Sequence, residues 1–116
     1  MAVRNSGQIV LFKFPQTDFS EGKIRPALLL SKIPGDYNDW LLCMISTREK
    51  PYSKEYDEII DFQSKDFKKS GLKSESVIRI FRLAVVDEKM LLGKTGEISK
   101  ERLDNIKKNI SDWLLK

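Results

Sequence analysis

The chain alternates short apolar runs with clusters of Pro, Gly and polar residues, and only its last stretch carries a helical period. Gln8–Phe14 (QIVLFKF) is apolar, β-branched or aromatic at most positions and stops at Pro15, which predicts a strand. Lys23–Lys32 (KIRPALLLSK) predicts a second. Pro26 has no N–H to give to a ladder, so the start of that strand belongs at an edge or a bulge. Residues 40–46 (WLLCMIS) are almost continuously hydrophobic, as expected of a strand buried on both faces. Residues 57–61 predict a short strand, residues 76–86 one bent strand or two short ones, and residues 90–98 a weaker strand containing Gly93 and Gly96. Residues 64–69 suit a short helical turn, with Ser64 as cap and Gly71 just beyond. From Ser99 onward, Leu103, Ile106, Ile110, Trp113 and Leu114 form one stripe of a capped amphipathic helix. Short strands followed by one closing helix predict a mainly β fold with helices (α+β). The expected form is a small curled barrel of about five to seven strands, with a short internal helix and a C-terminal helix. A length of 116 residues fits a single domain over residues 1–116.

The residues that are missing narrow the chemistry. With no histidine and one cysteine, Cys43, the chain has no Ser–His triad, no Cys–His pair and no His- or Cys-built metal centre. Any catalysis must use Arg, Lys, carboxylates and hydroxyls, and no cofactor or metal is expected. No apolar run approaches the ~20 residues that span a bilayer, so no membrane role and a cytoplasmic location are expected. The net charge is +4, and all the excess lies in the second half: the first 60 residues hold eight basic and eight acidic side chains. Residues 64–83 carry Lys65, Lys68, Lys69, Lys73, Arg79 and Arg82 against Asp66 and Glu75, a local footprint for an anionic partner such as nucleic acid.

The most specific segment is GQIVLFKFPQTDFSEGKIRPALLLS, residues 7–31. A strand, a polar loop, then basic–x–Arg–Pro leading into an apolar strand that ends in Ser resembles the opening of the MazF/PemK toxin family. CMIST (residues 43–47), SVIRIFRLAVVD (residues 76–87) and GEISKERLDNIKKNI (residues 96–110) are similar to later segments of that family, in the same order. The resemblance implies an SH3-like barrel that forms a homodimer. It also implies a sequence-specific, metal-independent endoribonuclease that cuts single-stranded RNA through its own 2′-OH and is held in check by a cognate antitoxin. Gyrase-poisoning toxins of the CcdB kind and a catalytically silent RNA- or antitoxin-binding barrel are the alternatives.

The resemblance makes Arg25 the catalytic arginine. Pro26 biases it to extended backbone, and its guanidinium can grip a phosphate with two donors. Ser46 aligns with the family's catalytic Thr. It keeps the hydroxyl but lacks the methyl that restricts χ1, and Thr47 stands next to it as the alternative. Thr17, Asp18 and Phe19 in the loop, with Lys23, Thr47, Arg48, Ser76 and Arg82, are the candidate RNA contacts. Of the two arginines near residue 80, strand alternation puts Arg79 on one face with Val77 and Phe81, and Arg82 on the other with Ile78 and Ile80. Arg82 has the better family position. Asp18, Glu21, Glu49, Asp57 and Glu58 are the carboxylates near enough in sequence to act as a base.

Overall fold

The computed structural model describes residues 3–14, 22–49 and 51–116. Six strands form one sheet: β1 (Gln8–Phe14), β2 (Lys23–Lys32), β3 (Asp39–Thr47), β4 (Glu58–Ile60), β5 (Ser76–Asp87) and β6 (Gly93–Glu97), in the spatial order β4-β5-β3-β2-β1-β6. Every ladder is antiparallel. Helix α1 (Phe67–Ser70) is a single turn, and α2 (Lys100–Leu114) is the long C-terminal helix. A 3₁₀ turn, Glu88–Met90, separates β5 from β6. The curled half-barrel sheet with two helices is the mainly β, α+β fold expected from the sequence.

The central strands are hydrophobic throughout because both of their faces are covered. Ile9, Leu28, Leu30, Cys43, Ile45, Ile78 and Ile80 pack with Leu103, Ile106 and Ile110 of α2. Val10, Phe12, Ala27, Leu29, Trp40, Leu42 and Val86 form a second cluster, which Leu91 closes. The alternation of Leu28 and Leu30 with Ala27 and Leu29 therefore divides one unbroken run between two cores. Burial pushes the Cys43 thiol well above its ordinary value, with the charge of Asp57 adding to the effect, so it stays an inert apolar filler.

α2 begins as expected, with the Ser99 hydroxyl accepting from the Arg102 N–H. Its apolar stripe outruns the core, because Trp113 and Leu114 lie beyond the last covered turn and are exposed. Trp113 instead packs on Phe81, ring centroids 4.8 Å apart.

The short helix differs from its predicted form. The Ser64 hydroxyl accepts from the Asp61 N–H rather than from α1, which begins only at Phe67. Asp66, next to α1, turns its carboxylate to the start of α2 instead. α1 ends at Gly71, whose φ of +72° is left-handed, and an added Cβ there would meet the Thr95 carbonyl oxygen at 2.1 Å. Gly96 is equally closed by the Lys69 carbonyl oxygen, so α1 sits flush against β6. This close seating fixes the 71–74 turn under the end of the sheet.

Candidate functional site: an arginine-lined groove

The groove opens where two ladders part. β2 pairs with β1 from Lys23 onward, but its pairing with β3 starts only at Ala27↔Met44. Arg25 and Pro26 thus stand on the open side of β2, the edge position expected for a residue without an N–H. Ile45, Ser46 and Thr47 face them across the gap. Arg25, Pro26, Ile45, Ser46, Thr47 and Ser76 line a cavity of about 260 Å³ that the 71–74 turn and Thr95 complete.

The second irregularity lies in β5. Cys43 pairs with Leu83 but the next residue, Met44, pairs with Arg79, so Ile80, Phe81 and Arg82 have no direct partner on β3. The strand bends there, as a bulge makes it do. Strict alternation, which separated Arg79 from Arg82, does not survive that bend. Ile80 and Phe81 both go to the α2 side of the sheet. Arg79 and Arg82 both go to the groove, where with Met44, Ser46 and Pro51 they line a cavity of about 300 Å³. A third cavity, about 770 Å³, runs from Arg25 past Met44 and Arg82 to Leu83, Val85 and Met90. The three adjoin, sharing the wall residues Arg25, Met44, Ser46 and Arg82, and together are called the groove.

Ser46 is the central polar group. It is only 6% exposed, lies on the face opposite Ile45, and accepts a hydrogen bond from Arg79 Nε at 2.6 Å. Thr47 is exposed and lines only the Arg25 side. Among the described residues, the side chains of Arg25 and Arg82 have no hydrogen bond or ion pair, and no carboxylate lines any of the three cavities. Among the described residues the groove is thus lined by arginines without a facing carboxylate, with one shielded hydroxyl in its wall. Its described residues offer no cluster of carboxylates, His or Cys that could hold a metal ion.

Other candidates lie elsewhere. Thr17, Asp18, Phe19 and Glu21 fall outside the described residues. Lys23 is exposed at the start of β2 and lines none of the three cavities. Arg48 turns away, donating to Glu75 at 3.2 Å and lying 3.9 Å from Asp61. Asp57 accepts from the Ser53 and Ile80 N–H groups, and Glu58 from Arg102 and Asn105, so both are bound into the scaffold. Glu49 is exposed at the end of β3. Sequence reasoning passed over Arg79 in favour of Arg82. Two arginines three apart share a face once a strand bulges between them, and the run IRIFR does not itself mark the bulge.

A six-stranded curled sheet, with a helix across one face and an arginine-lined groove in the other, defines a small α+β half-barrel built around a cationic cleft. Residues 5–114 match the family model described as PemK-like, MazF-like toxin of type II toxin-antitoxin system, and the chain belongs to that family. Among solved structures it is similar to the crystal structure of MazF (Form-I) from Deinococcus radiodurans, with a TM-score of 0.71 and 21% identity over 100% of both chains. At that identity the likeness concerns the fold. Comparison with curated proteins finds no match.

Proposed function

We propose that this toxin-family protein is an endoribonuclease that cuts single-stranded RNA by attack of a 2′-OH on the adjacent phosphate, without a metal. The observation that carries the reading is the groove. Arg25 stands on one side of a shielded Ser46 hydroxyl, Arg79 and Arg82 on the other, and no acid lines the walls among the described residues. Arg25 stabilises the charge that builds on the phosphorus oxygens, since an arginine stays protonated and serves as an electrostatic group rather than an acid. Arg82 and Ser76 contact the flanking RNA, joined by Thr17, Asp18, Phe19, Lys23 and Thr47 where the strand passes them, while Arg48 stays on Glu75.

The proposal includes two protein partners, a second copy of the chain and a cognate antitoxin, and a cytoplasmic place of action. Exposed Leu83, Val85, Met90 and Leu92 offer apolar surface for such contacts. No helix among the described residues is long and apolar enough to cross a membrane. The direct test incubates purified protein with a long mixed-sequence RNA in EDTA. Discrete products ending in 2′,3′-cyclic phosphate are expected; intact RNA at high protein concentration refutes the nuclease reading. Sedimentation at micromolar concentration is expected to give a dimer, and a fully active monomer refutes that part.

A further inference from the structure

We propose that Arg79 is a positioning residue that makes the Ser46 hydroxyl a hydrogen-bond donor to the RNA phosphate. This deepens the nuclease reading and rests on it. Arg79 pairs with Met44, and Ser46 with Val77, so the two side chains are diagonal neighbours on one face of the β3–β5 ladder. Arg79 Nε donates to Ser46 Oγ at 2.6 Å. A guanidinium has donors only, so the serine oxygen must be the acceptor in that bond. Two consequences follow for the hydroxyl. Its oxygen sits beside a fixed positive charge with one lone pair engaged, which makes it a poor base. Its own proton is not used on Arg79 and has no other acceptor among the described residues.

Ser46 is also the residue shared by the Arg25 cavity and the Arg79–Arg82 cavity. An anion held by Arg25 in that cavity shares its space with the Ser46 hydroxyl. Arg79 supplies the restraint that a threonine methyl would otherwise give, since a serine side chain is freer at χ1. Arg82 lines the same cavity but makes no bond to Ser46, so the positioning role belongs to Arg79 alone.

The test combines single-turnover cleavage of a long mixed-sequence RNA with NMR of the arginine Nε–H groups. Arg79→Ala is expected to lower the saturating rate about 10²-fold, the scale for losing an oriented donor. Ser46→Ala added to it should cost less than about a further threefold, because the two residues act as one unit. Arg79→Lys keeps the charge without the Nε–H. It should bind RNA at near wild-type concentration yet cleave as slowly as Arg79→Ala, and it carries the test if the alanine variant fails to fold. Ser46→Thr in the Arg79→Ala background should recover part of the rate. Losses that multiply, or an Arg79→Lys variant defective only in half-saturating RNA concentration, overturn the proposal. The Arg79 Nε–H should exchange slowly in the wild type and quickly in Ser46→Ala; equal exchange in both also overturns it. That signal needs no turnover. A wild-type protein that cleaves nothing thus refutes the nuclease reading, while the exchange rates still decide whether Arg79 holds Ser46.

Discussion

Two clefts among the described residues hold arginines, and they are built in opposite ways. At the junction of α1, α2 and β4, Arg102 is met on every side. Its Nε donates to Asp66 at 2.9 Å, a terminal nitrogen reaches the other Asp66 oxygen, and the third donates to Glu58 and to the Ile59 carbonyl. Asp66 and Arg102 are 4% and 15% exposed at the side chain. In the groove, Arg25, Arg79 and Arg82 face cavities with no acid in the wall among the described residues, where the one partner of Arg79 is a neutral hydroxyl. A matched charge ties elements together, whereas an unmatched one waits for a partner from outside. The contrast separates an arginine bound into the fold from the arginines that the proposed function assigns to RNA, although all of them look alike in the sequence.

That division sets different failures for the two clefts. Asp66→Ala leaves the Arg102 guanidinium half-satisfied in a mostly buried place, which typically costs about 3–5 kcal/mol. The expected result is a melting temperature lower by roughly 10 °C or more, with cleavage unchanged in the fraction that stays folded. Arg25→Ala should do the reverse. It is expected to reduce cleavage ~10²–10³-fold, the usual cost of a lost charge-stabilising donor, with no change in melting temperature. A folded Arg25→Ala protein that cleaves normally breaks the comparison at its functional end. An Asp66→Ala protein as stable as wild type breaks it at the structural end.

The hydroxyls refine the picture within the groove. Ser46 is shielded and bonded to Arg79, whereas Thr47 is exposed. Ser46→Ala should cut the single-turnover rate at least tenfold, and Thr47→Ala should change it by less than about threefold, because only the shielded donor acts in a low-dielectric wall. Ser46→Thr should be tolerated. The opposite ranking moves the site by one residue.

Acid sharpens the contrast further. Burial acts to raise the Asp66 carboxyl, but hydrogen bonds from Arg102 and the Ser99 N–H, with the Arg102 charge, outweigh it and hold it below the ordinary aspartate value. A carboxyl lowered on folding contributes stability above its unfolded value and loses it as pH falls through the folded one. Stability should therefore decline from the ordinary aspartate range downward. Asp66→Asn should flatten that decline relative to wild type; identical acid limbs in urea titrations refute the assignment.

Much of this architecture was legible in the chain. β1 and β2 fall on their expected residues because Pro15 and the polar stretch before Lys23 bracket two strongly patterned runs. The double-sided burial of β3 followed from its unbroken hydrophobicity. Arg25 lines one cavity with both candidate hydroxyls, Ser46 and Thr47, so strand alternation alone did not choose between them. The Asp66–Arg102 pair was not legible, because its members are 36 residues apart and neither stands in a motif. Arg79 was missed for a different reason: a bulge changes which side chains share a face, and no local signal in IRIFR announces where the strand will bend.

Arg48 supplies the smallest and most diagnostic test, because it belongs to the groove by sequence and to the scaffold by contact. It follows Thr47 directly, yet its guanidinium donates to Glu75 at 3.2 Å and has Asp61 at 3.9 Å, with 43% of its side chain exposed. Its backbone N–H also donates to the Glu75 carbonyl, so the pair closes the end of β3 onto the start of β5. Exposed pairs of this kind contribute about 0.2–1 kcal/mol and weaken in salt. Arg48→Ala is therefore expected to lower stability by no more than that and to weaken RNA binding less than Arg82→Ala does, since its charge is already matched. Binding measured against salt concentration separates the two: removing a phosphate contact lowers the slope by about one unit, and removing a matched charge does not. A unit drop for Arg48→Ala with none for Arg82→Ala reverses the order. It would mean that RNA draws Arg48 away from Glu75, and that a charge matched in the free protein can still belong to the ligand.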